Sequence, residues 1–412
     1  MDGVQLFNSL TQAYDAFEPR GESISLYVCG VTPYDTAHLG HAFVYSTFDV
    51  LARFLRFRGF TVRYVQNVTD IDDALFARVR ELGDVTWDTL ARRETERFVR
   101  EMEAINIGVP ERLVPASTQL PAMRDLIAKL VQGGFAYVRD GWVYFSVRRD
   151  PAFGRLAYAA GLLDDAERLE VANQHGNDPD DPRKQDPLDF VLWRQSEPDE
   201  PSWPSPWGAG RPGWHIECSA IATTFLGAQL DIHGGGADLI FPHHSCEIAQ
   251  SEHTVATHPW ARYWMHVGLV ELGGAKMSKS LGNLISVQNL LRTYSPDAVR
   301  LLLASHPYRR PWEFRLADVE HAQQTADGLT AAVQGTSSDE EPVQDSFTAW
   351  AERAFLTALD HDLDLPHALH MLVLLARAIG QHFLPGDEQE IARSRLRSLA
   401  GLLGLRLDGH VA

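Results

Sequence analysis

The hydrophobic and polar positions of this chain change period several times, and each change predicts an element. Residues 25–31 form an apolar run of strand character, and Thr32-Pro33-Tyr34-Asp35 after it carries turn chemistry. From Leu39 to Phe57 the apolar positions recur at helical spacing, and Arg58-Gly59 closes the pattern. Residues 61–68 (TVRYVQNV) predict a second strand, so strand, helix and strand make one βαβ unit. Further helices are predicted over 86–106 and 120–133. A hairpin follows over 136–145 with Asp140-Gly141 as its turn. Residues 176–184, rich in Asp, Pro and Gly, predict a mobile loop. From Ala317 onward the chain reads as helices, with Phe355, Leu356 and Leu359 in one apolar stripe and Leu369, Leu372, Leu375 and Ala376 in another. The acidic run 337–342 reads as a solvated linker.

Composition narrows the class. A chain of 412 residues with 45% hydrophobic content predicts a globular protein of more than one domain. It contains no uninterrupted apolar stretch of membrane-span length, and its N-terminus lacks a signal sequence. Three cysteines, none in a loop-rich framework, suit a reducing cytoplasm. With 37 basic against 55 acidic residues the net charge is −18, which disfavours a nucleic-acid partner while leaving room for a local basic patch.

The candidate chemistry gathers in a few segments. Cys29 ends a strand-like run, Cys218 follows Gly213-Trp214-His215-Ile216-Glu217, and Cys246 sits within Phe241-Pro242-His243-His244-Ser245-Cys246-Glu247. Thiolate, imidazole and carboxylate are the ligand types of Zn²⁺, and His243 and Glu247 stand at helical i,i+4 spacing. Each cysteine alone reads equally well as a small buried hydrophobe. His38-Leu39-Gly40-His41 falls between the first strand and its helix, where open parallel sheets bind ligands and a helix N-terminus favours anions. Lys276-Met277-Ser278-Lys279-Ser280 lies far downstream among glycines. Either motif alone is compatible with a solvated surface; the two in this order are harder to dismiss. The cluster Asp70-Ile71-Asp72-Asp73 reads as structural, with Asp70 capping a helix.

The pair HxGH and KMSKS resembles the signature of class I aminoacyl-tRNA synthetases. Tyr27-Val28-Cys29-Gly30-Val31-Thr32, Asn67-Val68-Thr69-Asp70-Ile71-Asp72-Asp73, Gly213-Trp214-His215-Ile216-Glu217-Cys218 and His233-Gly234-Gly235-Gly236-Ala237-Asp238 narrow the resemblance to the cysteinyl-tRNA synthetase superfamily, which includes the mycothiol-biosynthesis ligase. That resemblance implies an α/β fold: a Rossmann-like catalytic domain over 1–303 with a subdomain inserted at about 86–200, then an α-helical bundle over 304–412. It implies ATP as co-substrate with Mg²⁺, held by His38, Gly40, His41, Lys276, Ser278 and Lys279, of which the histidines and lysines serve catalysis. Cysteine would meet Gly30, Thr32, Thr69, Trp214 and Asp238. Zinc would bind Cys29, Cys218 and His243, with Glu247 as fourth ligand and Cys246 as the alternative neighbour. Because the sequence stops about where an anticodon-reading domain would begin, and because TPYDTAHLGH and the 176–184 loop resemble the ligase branch, the expected acceptor is the amine of glucosaminyl-inositol. The expected partners exclude tRNA and membrane, and a monomer is expected. Glu247 points the other way, since it matches the synthetases.

Overall fold

The structure, a computed structural model, describes residues 3–34, 37–162, 164–255, 257–277, 282–344 and 346–408. Ser23–Val31 shows near-continuous burial rather than alternation, as expected of a strand covered on both faces. It is the middle of a five-stranded sheet ordered Ala261–Val267, Leu230–Gly236, Ser23–Val31, Thr61–Val68, Arg112–Pro115, every neighbouring pair parallel. The chain steps outward from the middle strand in one direction, then returns to build the other side. The carboxyl ends of Ser23–Val31 and Leu230–Gly236 therefore flank a topological switch point, where such sheets bind ligands. The helix Leu39–Phe57 has the predicted bounds and buries Phe43, Phe48, Leu51 and Phe54 in the same core as Leu26 and Ile232.

Several expectations are corrected. The helix Trp87–Ala104 does not open the inserted subdomain at 86. It lies with Asp73–Leu82 in the crossover from Thr61–Val68 to Arg112–Pro115, which a parallel pair requires. The insertion follows 115 and carries Leu120–Gln132 and an antiparallel sheet of Ala136–Arg139, Trp142–Phe145, Phe190–Arg194 and Arg211–Pro212. Its hairpin turns at Asp140 (φ +52°) and Gly141 (φ +79°), the pair of left-handed residues that the predicted turn needs. Asp70 caps no helix. Asp72 does, accepting from the Ala74 N–H at 2.8 Å, while Asp70 accepts from the Ser117 N–H. The 176–184 loop is pinned rather than loose: Asn177 donates to Asn173, Lys184 donates to Asn177, and the Asp181 carboxylate takes Tyr144 at 2.6 Å and Arg183 at 2.8 Å.

The C-terminal helices Leu316–Ala332, Phe347–Asp360, Leu365–Gly380 and Gly386–Leu402 pack on one another, with 337–342 in the connection between the first two. They join the sheet domain through Pro296–Ala304, which touches both Leu39–Phe57 and Leu316–Ala332. No described helix is long and apolar enough to cross a membrane.

Candidate active site and metal centre

At the switch point lies a cavity of about 530 Å³, whose wall includes Gly30, Thr32, His38, His41, Asp238 and Lys276. This size suits a small-molecule site. His38 and His41 stand on the first turn of the Leu39–Phe57 helix, their rings stacked at 3.8 Å. Gly40 between them leaves the space: a Cβ there would meet the His38 ring at 3.0 Å. The helix N-terminus adds its dipole to the same wall, although the Leu39 N–H already donates to the Ile285 carbonyl at 2.8 Å and the His41 N–H to the His38 side chain. Lys276 reaches across from the far side to Asp238, Nζ to Oδ2 at 2.6 Å. Ser278 and Lys279 lie outside the described residues. Glu94 and Phe98 also line the cavity and were not singled out from the sequence, because the helix that carries them was assigned to the insertion.

Cys29 and Cys218 meet behind this cavity, Sγ to Sγ at 3.8 Å. Cys29 lies beside a β-bulge between Val28 and Val31, where Gly30 donates its N–H to the Asn67 side chain at 2.7 Å. A Cβ on Gly30 would stand 1.7 Å from the Asn67 carbonyl oxygen, so only glycine fits. Cys218 comes from Trp214–Leu226. His243 and Glu247 come from the turn Ile240–His244 and the helix Ser245–Glu252, one turn apart as their spacing implies. His243 Nε2 is 3.4 Å from Cys218 Sγ and 3.1 Å from Glu247 Oε1, and Cys29 Sγ is 3.4 Å from the same carboxylate oxygen. The four ligand atoms lie within 4.8 Å of one another, all buried. Two sulfurs, one nitrogen and one oxygen at such separations fit a zinc ion.

The charges agree with the geometry. Burial by itself raises a thiol, but the Cys29 thiol donating to Cys218, with His243 beside it, brings Cys218 down to about 6. Burial opposes protonation of His243, yet Cys218 and Glu247 outweigh it and push that ring up to about 10. Glu247 is held well below the usual carboxylate range, since His233 and His243 overcome its burial. The pocket thus favours thiolate and carboxylate facing an imidazolium, a position that a divalent cation takes by displacing the proton. His215 Nδ1 lies 2.9 Å from His243 Nδ1 and so turns the other nitrogen, Nε2, toward the cluster.

Two further histidines belong to this layer. His233 and His244 form an overlapping ligand set with Cys29 and Glu247, and His244 is anchored by His266 at 2.7 Å. His233 opens the HGGGAD stretch and His244 follows His243 directly, but only the fold brings them to Cys29. Cys246 is absent from either set. It lines a different cavity, and burial pushes its thiol up. Trp214 stacks on His243 at 4.3 Å. Thr69 is buried on the wall of neither cavity, because its hydroxyl and N–H are spent on Asn67 and on the Val31 carbonyl.

A parallel sheet with a cavity at its switch point, two histidines at a helix N-terminus on one wall and a lysine across from them make the arrangement of a nucleotide-dependent enzyme. Comparison with known proteins makes this specific: residues 16–324 match the family of tRNA synthetases class I (C) catalytic domains, and the chain belongs to it. The cysteine–tRNA ligase of Alkalilimnicola ehrlichii is 42% identical over 98% of this chain and 86% of its own length. The L-cysteine:1D-myo-inositol 2-amino-2-deoxy-alpha-D-glucopyranoside ligase of Parafrankia sp. is 48% identical over 76% of this chain and 70% of its own. Mycobacterium tuberculosis methionyl-tRNA synthetase bound to methionyl-adenylate shares the fold at a TM-score of 0.66 and 17% identity, covering 95% of this chain and 92% of that one.

Proposed function

We propose that this enzyme, an ATP-dependent cysteine ligase of the class I synthetase family, activates L-cysteine as cysteinyl-adenylate and transfers it to the amine of glucosaminyl-inositol. The observation that carries the reading is the Cys29, Cys218, His243 and Glu247 cluster, which reaches through Cys29 into the cavity of His38, His41 and Lys276. In the first step a carboxylate oxygen of cysteine attacks the α-phosphorus of ATP, and the bond from that phosphorus to the pyrophosphate oxygen breaks. His38 and His41, with the Gly40 backbone between them, hold phosphate oxygens. Lys276, together with Ser278 and Lys279 of the same motif, offsets the charge that develops on them. Mg²⁺ accompanies ATP. Asp238 offers its carboxylate to the cysteine ammonium beside Gly30 and Thr32, Trp214 flanks the side chain, and Thr69 braces the strand end behind them.

Cysteine must be told from serine, and shape separates such analogues by only about 1–3 kcal/mol. Zinc bound at the cluster supplies a Lewis acid that takes a thiolate strongly and a neutral hydroxyl weakly. Transfer to the amino sugar is supported by the 48%-identical relative of that name and by the net charge of −18. Transfer to tRNA is the second reading, favoured by cysteine–tRNA ligases that match 98% of the chain and by Glu247. Purified enzyme with ATP and cysteine, offered either glucosaminyl-inositol or bulk tRNA, decides by product mass. The expected result is the amide with AMP and pyrophosphate, and one zinc per chain. Cysteinyl-tRNA at physiological salt with no amide overturns the acceptor. A zinc-free protein with undiminished preference for cysteine over serine overturns the metal.

A further inference from the structure

Glu101 is a buried acid that the adenylation chemistry above does not use. It sits on the Trp87–Ala104 helix, just beyond Phe98, whose ring meets His41 edge to face at 6.3 Å. Its Oε2 accepts the Ala37 N–H at 2.9 Å, and its Oε1 accepts Arg97 Nε at 3.0 Å. Ala37 leads directly into His38. On the other side the same stretch of backbone is held by residues 285–287. There the Leu39 N–H donates to the Ile285 carbonyl at 2.8 Å, and the Val287 N–H donates to the Ala37 carbonyl at 3.4 Å. His38 itself pairs with Ser286 in a single antiparallel bridge. The peptide that carries His38 is therefore gripped from two sides, and Glu101 supplies one of the grips.

We propose that Glu101 is a positioning residue for adenylation, which sets His38 at the cavity and ties it to the segment that follows the lysine motif. The proposal rests on the cysteine-ligase reading above and adds a residue to it. The tie runs through Arg97, whose guanidinium meets Glu101 with Nε and reaches Gln288 Oε1 with Nη2 at 3.4 Å. Gln288 belongs to the short helix Val287–Leu290, directly after the bridge to His38. Earlier in the same segment, Asn283 donates its side-chain amide to the Lys276 carbonyl at 3.2 Å. Histidine turn and lysine motif thus share one hydrogen-bonded frame, which Glu101 and Arg97 close on the side of the crossover helix.

Keeping a carboxylate out of water is costly, and a neutral oxygen would satisfy the Ala37 N–H alone. The carboxylate adds two firm acceptors on one rigid group, one for the Ala37 amide and one for the guanidinium. Backbone and Arg97 side chain then cannot shift independently. The helix supplies the alignment, since Arg97 and Glu101 stand at i,i+4 on one face. Precision matters here because transfer at phosphorus depends mostly on positioning. A displacement of about 1 Å, caused far from the reacting atoms, can cost on the order of 10²-fold in rate.

Glu101→Ala and Glu101→Gln are compared in cysteine-dependent ATP–pyrophosphate exchange, with kcat and the KM values for ATP and cysteine measured separately. The alanine variant is expected to lower kcat about 10–100-fold and to leave both KM values within about twofold, the pattern of an interaction realised in the transition state. The glutamine variant still offers an oxygen to the Ala37 N–H and is expected to recover most of that rate. Arg97→Met keeps the bond to Ala37 and should lower kcat by a smaller factor, which keeps the test open if the alanine variant does not fold. Wild-type kcat in Glu101→Ala, or in Arg97→Met where the alanine variant does not fold, overturns the proposal. So does a raised KM for ATP with kcat unchanged, which would make Glu101 part of ATP binding. A glutamine variant as slow as the alanine one also overturns it, since the bond to Ala37 would then not be what matters. Absence of cysteine-dependent exchange in the wild-type enzyme overturns the adenylation reading and this proposal together.

Discussion

Glu247 and Cys246 sit side by side on the first turn of the Ser245–Glu252 helix, both buried, and only direction separates them. The Glu247 carboxylate lies 3.1 Å from His243 Nε2, whereas Cys246 lines a separate cavity of about 600 Å³. At i+4 from His243 a helix returns to the same face, and at i+3 with this twist it does not reach the cluster. Glu247→Ala is therefore expected to weaken zinc retention about 10–100-fold, the range for losing a group that holds or orients a metal ligand. Cys246→Ser is expected to keep the metal. Chelator competition on both purified variants checks this, and zinc lost from the Cys246 variant alone would sink the assignment. The carboxylate matters beyond its place as a ligand. His233 and His243 hold it ionised despite complete burial, and His215 fixes the His243 ring from behind.

Among elements, the Lys276 segment and the short turn Ala237–Leu239 that carries Asp238 meet across the cavity. Their ion pair is half exposed on the lysine side, so it contributes at most about 1 kcal/mol to stability. Lys276→Ala should thus leave the melting temperature and zinc content alone, yet slow cysteine-dependent pyrophosphate exchange about 10²–10³-fold, as for loss of one donor to a developing oxyanion. An unchanged exchange rate would reduce the segment to a surface loop. Elements whose signals are local were legible in the sequence. The helix Leu39–Phe57 and the strand Thr61–Val68 match because their apolar periods and closing turn lie within the segments themselves. The crossover role of Trp87–Ala104 was not legible, since an amphipathic helix reads the same whether it covers the main sheet or an insertion. Asp70 was misread for a related reason: three aspartates within four residues offer several possible caps, and only the position of the first helical turn selects Asp72. The pinning of the 176–184 loop depends on Tyr144, remote in sequence, which no composition signal reveals. His233 and His244 belong with Cys29 for the same non-local cause.

At the scale of the whole molecule, the sheet domain and the helical bundle are joined at a buried charge. Arg300, on the Pro296–Ala304 helix, donates to Asp49 of the Leu39–Phe57 helix at 2.8 Å and to the Leu403 carbonyl at 2.6 Å. Next to it Gly404, at φ +77°, passes so close that a Cβ would collide with the guanidinium. One arginine therefore ties the helix that presents His38 and His41 to the last helix of the bundle. The two partners are not equivalent. Without Arg300, Asp49 keeps Arg53 at 2.9 Å and the Gly108 N–H at 3.0 Å. Without Asp49, Arg300 keeps mainly backbone carbonyls, and arginine cannot shed its proton to escape burial. Asp49→Ala is accordingly expected to cost about 3–5 kcal/mol, the usual penalty for stranding a buried charge, and Arg300→Met less. The double variant Asp49→Ala with Arg300→Met should recover part of the loss, since the stranded charge is then gone. Urea denaturation of the three variants at neutral pH measures all of this. If Arg300→Met proves the more damaging single change, or the double variant shows the plain sum, then the joint is held by packing rather than by its charge.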